Sequence, residues 1–235
     1  MRQEERKLRE IKEKIRDKYK DQPNGDILTS NDFQIYLSLW QANVPVKYWE
    51  YELSDITEDS SRRTIEKYIS KLKEVLSKGI GLYFCGRQGT GKTLAACIVL
   101  KEALRQGYTV YFTMLTEVLS RYCDGMYDKE ARAAFARSIL EADILVVDDI
   151  DKGYLSEKST FIDSAYDFVF RSRANKNLPI IITSNLTRGE FTAQEGMTFG
   201  RSLLSLFDEH LHDVIVTCTD RRKEIQKKMG DFFNE

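Results

Sequence analysis

The sequence has little from which to build a metal centre or a disulfide framework. Its four cysteines, Cys85, Cys97, Cys123 and Cys218, are scattered without a C-x-x-C pair, and histidine occurs only at 210 and 212. That distribution argues against zinc and suits a reducing compartment. No apolar run approaches the length that spans a bilayer, and the charged N-terminus does not have the pattern of a signal peptide. Charge of one sign is not in excess either. With a formal net charge of −1, any nucleic-acid-binding surface must be local. Internal repeats and low-complexity tracts are also missing. These absences lead to the expectation of a soluble, cytoplasmic protein that does not enter a membrane. What is present, 235 residues of which 42% are hydrophobic, is material for one large domain or for a core with a short appendage.

Two helical patterns open the chain. Residues 1–20 are densely charged, and Leu8, Ile11, Ile15 and Tyr19 form a narrow apolar stripe at helical spacing. Such a helix is marginal alone and calls for a partner. The run 22–26 (QPNGD) is a turn signal. A second helix is expected from Thr29, where Thr29 and Asp32 fit a capping box, and it carries Phe33, Tyr36, Leu37, Leu39 and Trp40. Asn43-Val44-Pro45 ends it. The aromatic surface of this helix suggests that residues 1–42 form a partner-docking region, with the main domain over 43–235. Beyond it, Ile65, Tyr68, Ile69, Leu72, Val75 and Leu76 mark a helix that stops at Gly79. Strands are expected at Gly81–Cys85, Thr109–Phe112, Ile144–Val147, Ile180–Thr183 and Val214–Cys218, with helical stretches between them. That alternation predicts an α/β fold, a five-stranded parallel sheet flanked by helices.

The segment Gly86-Arg87-Gln88-Gly89-Thr90-Gly91-Lys92-Thr93 fits G-x-x-x-x-G-K-[ST], between an apolar strand and the apolar helix that opens at Leu94. In that context the glycines let the loop curl so that backbone N–H groups face a phosphate. Lys92 brings a positive charge to the β/γ-phosphates, and the Thr93 hydroxyl suits Mg2+. The third strand runs into Asp148-Asp149, two carboxylates at the edge of the sheet where ligands bind. Asp148 suits the metal, and Asp149 the polarisation of an attacking water. The fourth strand ends in Thr183-Ser184-Asn185, where the amide of Asn185 is placed to meet a water or a γ-phosphate. ATP and Mg2+ are the ligands expected.

Taken together, these pieces resemble the AAA+ ATPases. A strand inserted between the loop strand and the acidic strand, and the sensor-like Asn185, separate them from small kinases and GTPases. From about Val44 onward the chain resembles the bacterial replicative-helicase loaders of the DnaC/DnaI type and their transposition relative IstB. The matching residues are Asn43-Val44-Pro45, Tyr48-Trp49, the loop with its strand, Val110-Tyr111-Phe112-Thr113, Leu145–Ile150, Ile181–Asn185, Gly200–Leu203 and Thr219–Arg222. The resemblance implies an ATPase that self-associates, binds single-stranded DNA and docks a replicative helicase through its N-terminal helices. A transposition helper and a weakly hydrolysing adaptor are the alternatives.

It also implies roles for two arginines. The helix near 201–211 usually carries the arginine that reaches a neighbour's nucleotide. Here the usual position falls on Ser205 or Leu206, which leaves Arg201 one turn earlier as the replacement. Arg222 is the candidate C-terminal nucleotide sensor, with Arg221 and Lys223 beside it. Family members usually end the acidic pair with Glu, and the shorter Asp149 points to slow hydrolysis. Only residues 219–235 follow the last expected strand, which leaves no room for a helical lid. Helices after the second strand line a DNA channel in the family. Tyr127, Lys129, Arg132 and Arg137, near Arg121 and Tyr122, are the corresponding basic and aromatic candidates, diluted by Asp124, Asp128 and Glu130.

Overall fold

A computed structural model describes residues 3–18, 31–153, 160–193 and 201–217. Five short runs rich in β-branched and aromatic residues pair as strands: β1 (Gly81–Cys85), β2 (Val110–Met114), β3 (Ile144–Asp148), β4 (Ile180–Ser184) and β5 (Leu211–Ile215). All pairings are parallel, in the order β2-β3-β4-β1-β5. β4 therefore lies between the loop strand β1 and the acidic strand β3.

Helices cover both faces, as buried parallel strands require. Side chains alternate along each strand. Leu82, Phe84, Phe112, Val146 and Ile181 face one cluster, and Tyr83, Tyr111, Leu145, Val147 and Ile182 face the other. The first cluster is closed by α3 (Asp59–Ser70), α4 (Leu72–Ser77) and α5 (Lys92–Arg105), the second by α6 (Leu115–Tyr127), α8 (Thr160–Ala174) and α10 (Arg201–His210). Between α6 and β3 lie α7 (Lys129–Phe135) and a π-helical turn over Ala136–Leu140, and α9 (Arg188–Ala193) follows β4. Buried Arg173 on α8 donates to Ile139 O at 2.9 Å and Pro179 O at 2.9 Å, tying that turn to the entrance of β4.

Two expected boundaries move. The fifth strand is Leu211–Ile215 rather than Val214–Cys218, because its pairing with β1 begins at Gly81–Leu211. It is an edge strand in which only Leu211 and Val214 are buried, so its polar start, His212-Asp213, hid it from a search for apolar runs. The single helix expected before Gly79 is broken at Lys71, whose φ of −110° and ψ of 24° leave the helical region. Ile65 and Tyr68 before the break and Leu72 and Val75 after it are all buried in the core.

The N-terminal helices α1 (Gln3–Lys18) and α2 (Asn31–Gln41) do not stand apart from that core. Leu8, Ile11, Phe33 and Leu39 are buried in the same cluster as α5, and Tyr36 packs at 6.4 Å from fully buried Trp49. These side chains find partners within the chain, while Trp40 stays exposed at 40%. Tyr19 and Thr29 lie outside the described residues. Asn43, with φ of 58°, turns the chain out of α2. Phe112 N donates to Ala42 O at 2.8 Å and Asn43 Nδ2 to Phe112 O at 3.0 Å, which covers the free edge of β2.

One buried cation fastens the following linker. Lys101 on α5 is 2% exposed, and its ammonium donates to Trp49 O (2.8 Å), Tyr51 O (3.1 Å) and Glu52 Oε1 (2.6 Å). Arg105 adds two bonds to the same Glu52 carboxylate. Residues 46–55 are held in this way against the helix that starts at the phosphate loop. No helix among the described residues is long and apolar enough to cross a membrane.

Candidate nucleotide-binding site

The loop 86–91 joins β1 to α5 at the C-terminal edge of the sheet. Gly89 and Gly91 have φ of 84° and 97°, a region that costs a residue with a side chain. At Gly86 a Cβ would stand 2.2 Å from Val216 O, so only glycine fits where the loop passes the end of β5. Thr90 Oγ1 donates to Arg87 O at 2.8 Å and locks the curl. The N-terminus of α5 points into the loop, which concentrates N–H groups and positive dipole where a phosphate would sit. Arg87 and Gln88 are exposed on the rim, and Leu94 is buried beneath it.

Lys92 is the first residue of α5 and is only 8% exposed. Its ammonium donates to Gly86 O (2.8 Å), Arg87 O (2.9 Å) and Asn185 Oδ1 (3.0 Å). Burial holds its pKa below the ordinary lysine value, while the carboxylates of Asp151, Asp149 and Asp148 act in the opposite direction.

The acids are held by hydroxyls. Thr93 Oγ1 donates to Asp148 Oδ1 at 2.9 Å, and Thr183 Oγ1 donates to the same oxygen at 2.6 Å. Burial raises the Asp148 pKa, and these two hydrogen bonds oppose the rise. Thr183 Oγ1 also accepts from Asp149 N at 2.9 Å. Asp149 has φ of 57°, a left-handed conformation that Asp and Asn tolerate several-fold better than most residues. An aspartate at this position is therefore compatible with the backbone it occupies.

A hydroxyl and a carboxylate oxygen in hydrogen-bond contact form a donor set suited to Mg2+, which takes oxygen ligands and shares them with substrate phosphates. Among the described residues no group of three or more His, Cys, Asp or Glu could hold a metal ion.

The structure thus brings together the residues expected from the sequence: the loop 86–94, Asp148, Asp149 and Asn185. Arg201 is the first residue of α10, and its side chain lies outside the described residues, as does Arg222 altogether. The DNA candidates sit on α6, α7 and the π turn. Tyr127 is 92% exposed, and Lys129 and Arg137 are exposed. Arg132 instead donates to Gly125 O at 2.7 Å and Met126 O at 3.1 Å, capping the end of α6. Tyr122 packs on Phe135 and Phe168, and Arg121 lies over the Tyr111 ring.

Sequence reasoning missed two residues here. Thr183 carried a signal, a hydroxyl ending an otherwise apolar run on a central strand. Asp151 carried almost none, because nothing in the pattern shows which way a third acid after the pair will turn.

Solved structures of similar fold include the DnaC helicase loader (TM-score 0.61, 23% identity, 72% of this chain and 98% of that one). DnaI is also similar (TM-score 0.61, 19% identity, 76% and 94%). The replication initiator DnaA bound to AMPPCP and single-stranded DNA is a third (TM-score 0.58, 22% identity, 78% and 55%). At these identities the likeness is one of fold. In sequence, the chain is 28% identical over 141 residues to an ATP-binding protein of the insertion sequence IS5376 from Geobacillus stearothermophilus, covering 57% of this chain and 51% of that protein. It is 26% identical over 95 residues to YdaV, an uncharacterized protein of Escherichia coli K12, covering 40% and 38%. The chain therefore spans about half the length or less of these relatives. The pattern of the IstB-like ATP binding proteins matches residues 47–228, more than half of the sequence, and the chain belongs to that family.

Proposed function

We propose that this protein is a Mg2+-dependent ATPase that uses ATP to load a replicative helicase onto single-stranded DNA. The observation that carries the ATPase reading is the convergence of two hydrogen-bonded pairs, Lys92 with Asn185 and Thr93 with Asp148, at the mouth of the phosphate loop. The loop and Lys92 bind the phosphates. Thr93 and Asp148 hold Mg2+, which when bound neutralises phosphate charge. Asp149 accepts a proton from the attacking water, and Asn185 senses the γ-phosphate. Arg201 acts on the nucleotide of an adjacent subunit, and Arg222 senses nucleotide from the C-terminal segment.

The loader reading is supported by fold similarity that extends over 98% of the DnaC chain and 94% of the DnaI chain. In it, residues 1–42 dock the helicase, with exposed Trp40 as one contact, and Tyr127, Lys129 and Arg137 meet the DNA strand. A second reading, a transposition helper, is favoured by the family match and the insertion-sequence relative.

The two readings separate in one experiment. The purified chain is mixed with single-stranded DNA, ATP or ADP, and either the replicative helicase or the transposase of the same cell. ATP-dependent co-elution with the helicase is expected. Co-elution with the transposase alone replaces the loader by the helper. Binding to neither leaves an ATP-gated adaptor.

A further inference from the structure

Asp151 belongs to no part of the phosphate-site motifs, yet both of its carboxylate oxygens are engaged at that site. It lies on the short turn Ile150–Gly153 that leaves β3 after the acidic pair. Its Oδ1 accepts from Ser184 Oγ and its Oδ2 from Asn185 N, each at 2.5 Å. Ser184 is 1% exposed, and its hydroxyl also accepts from Leu186 N at 3.0 Å, so the first turn beyond β4 is closed around this one carboxylate. The residue fixed by Asp151 Oδ2 is the same residue whose side-chain oxygen accepts from Lys92.

Thr183, two residues earlier, makes the companion contact to Asp148 and Asp149. The exits of β3 and β4 are therefore stapled twice. The inner staple sets the acids, and the outer staple sets the amide. A carboxylate is the side chain that accepts from two separate donors at once; an asparagine in its place would turn an NH2 group toward one of them.

We propose that Asp151 is a positioning residue for Asn185: it holds the Asn185 backbone so that the amide meets Lys92 and the terminal phosphate of a bound nucleoside triphosphate, and it ties that amide to the turn bearing Asp149. Asp151 does not touch the reacting atoms. It acts through Asn185, so its loss impairs discrimination between triphosphate and diphosphate and slows turnover, without weakening the loop's hold on the diphosphate. The inference rests on reading the site as an ATPase, and its test is separable from that reading.

The test uses the full chain with Asp151→Ala, Asp151→Asn, Asn185→Ala and the double variant Asp151→Ala/Asn185→Ala. Affinities for ADP and for a non-hydrolysable ATP analogue are measured by calorimetry, turnover by phosphate release, and folding by thermal unfolding. The wild type is expected to prefer the triphosphate analogue, and Asp151→Ala to lose that preference with ADP affinity unchanged. Turnover should drop roughly 10–100-fold, the range for partners that orient a working side chain. Asp151→Asn should fall between wild type and Asp151→Ala. The double variant should be no worse than Asn185→Ala, since both changes remove one function.

Additive losses in the double variant, or ADP affinity and Tm falling together, would make Asp151 a fold residue and overturn the inference. A retained preference in Asp151→Ala, or a wild type without any, would also overturn it. If the wild type binds both nucleotides but shows no turnover, hydrolysis fails as a proposal, and the ratio of the two affinities still decides the role of Asp151.

Discussion

The exit edge of the sheet and the N-terminal wrap around α5 are assembled from opposite materials. At the exit edge hydrogen bonds between polar or charged groups join Lys92 to Asn185, and Thr93 and Thr183 to Asp148. In the wrap, Leu8, Ile11, Phe33, Leu39 and Trp49 are buried in one cluster with α5, and Lys101 supplies the main polar tether. Both regions grip the same helix, one at its start and the other along its flank. The difference teaches what each can lose. A polar group at the exit edge carries chemistry and little core volume, whereas an apolar group in the wrap carries fold and no chemistry.

Lys92→Ala is the strongest challenge to that division. Truncating one partner of a buried charged pair costs roughly 2–5 kcal/mol of binding. ATP affinity measured by calorimetry should fall accordingly, while the thermal transition stays near that of the wild type. A large fall in Tm would mean that the loop lysine belongs to the fold.

Leu39→Ala should show the reverse. Leu39 is 1% exposed, and deleting such a side chain costs about 3 kcal/mol. Urea unfolding should register the loss, with the folded fraction binding ATP as before. The same logic separates two truncations. Removing residues 1–30 strips α1 and should leave a core that folds and binds ATP, whereas removing 1–42 also uncovers α5 and the edge of β2 and should destabilise it. If the 1–42 deletion unfolds at the wild-type temperature, the wrap is an independent docking unit after all.

Thr183→Val keeps shape and removes the hydroxyl that both acids share. An unmade buried hydrogen bond costs about 1–3 kcal/mol, so a modest fall in stability is expected with a larger fall in turnover. Equal effects on both would remove Thr183 from the list of groups that orient Asp149.

The smallest effect concerns pH. Hydrogen bonding to Arg105 above all, and to Lys101, holds the Glu52 carboxyl at about 2 against an ordinary 4.5, although burial pushes the other way. A depressed acid stabilises the fold fully above its unfolded pKa and loses that contribution as pH falls through 4.5 toward 2. Because Glu52 is 42% exposed at its side chain, solvent screening keeps the contribution small. Glu52→Gln should flatten the acid limb of the stability curve by lowering stability slightly at neutral pH, where the carboxylate contributes, and should match the wild type where that carboxyl is protonated. An unaltered acid limb would show that the tether is not set by this carboxylate.

Legibility in the sequence followed the same division. The loop and the acidic pair could be read because phosphate chemistry demands particular residue types at fixed spacing. Central strands could be read because burial on both faces makes them apolar throughout. β5 is hard to place because only Leu211 and Val214 of this edge strand are buried, with His212-Asp213 between them. The wrap was half legible. The stripe on α1 and the aromatic face of α2 are plain, but periodicity says that a face is covered and not by what, and here α1 packs on α2 and α2 on α5. Buried Lys101 and Arg173 give little signal, since most of their partners are backbone carbonyls, which every residue has. Asp151 was missed because its partners lie on another strand.

The central claim is that the exit edge hydrolyses ATP through Asp149. It is tested most directly by phosphate release from the wild type and Asp149→Asn in parallel, with single-stranded DNA present and nucleotide binding measured on the same samples. Asn tolerates the left-handed backbone at this position, so the exchange removes the base and spares the fold. The account predicts wild-type turnover, and in Asp149→Asn full ATP binding with turnover reduced at least about 100-fold, as the loss of a general base allows. Turnover in Asp149→Asn equal to that of the wild type would contradict it.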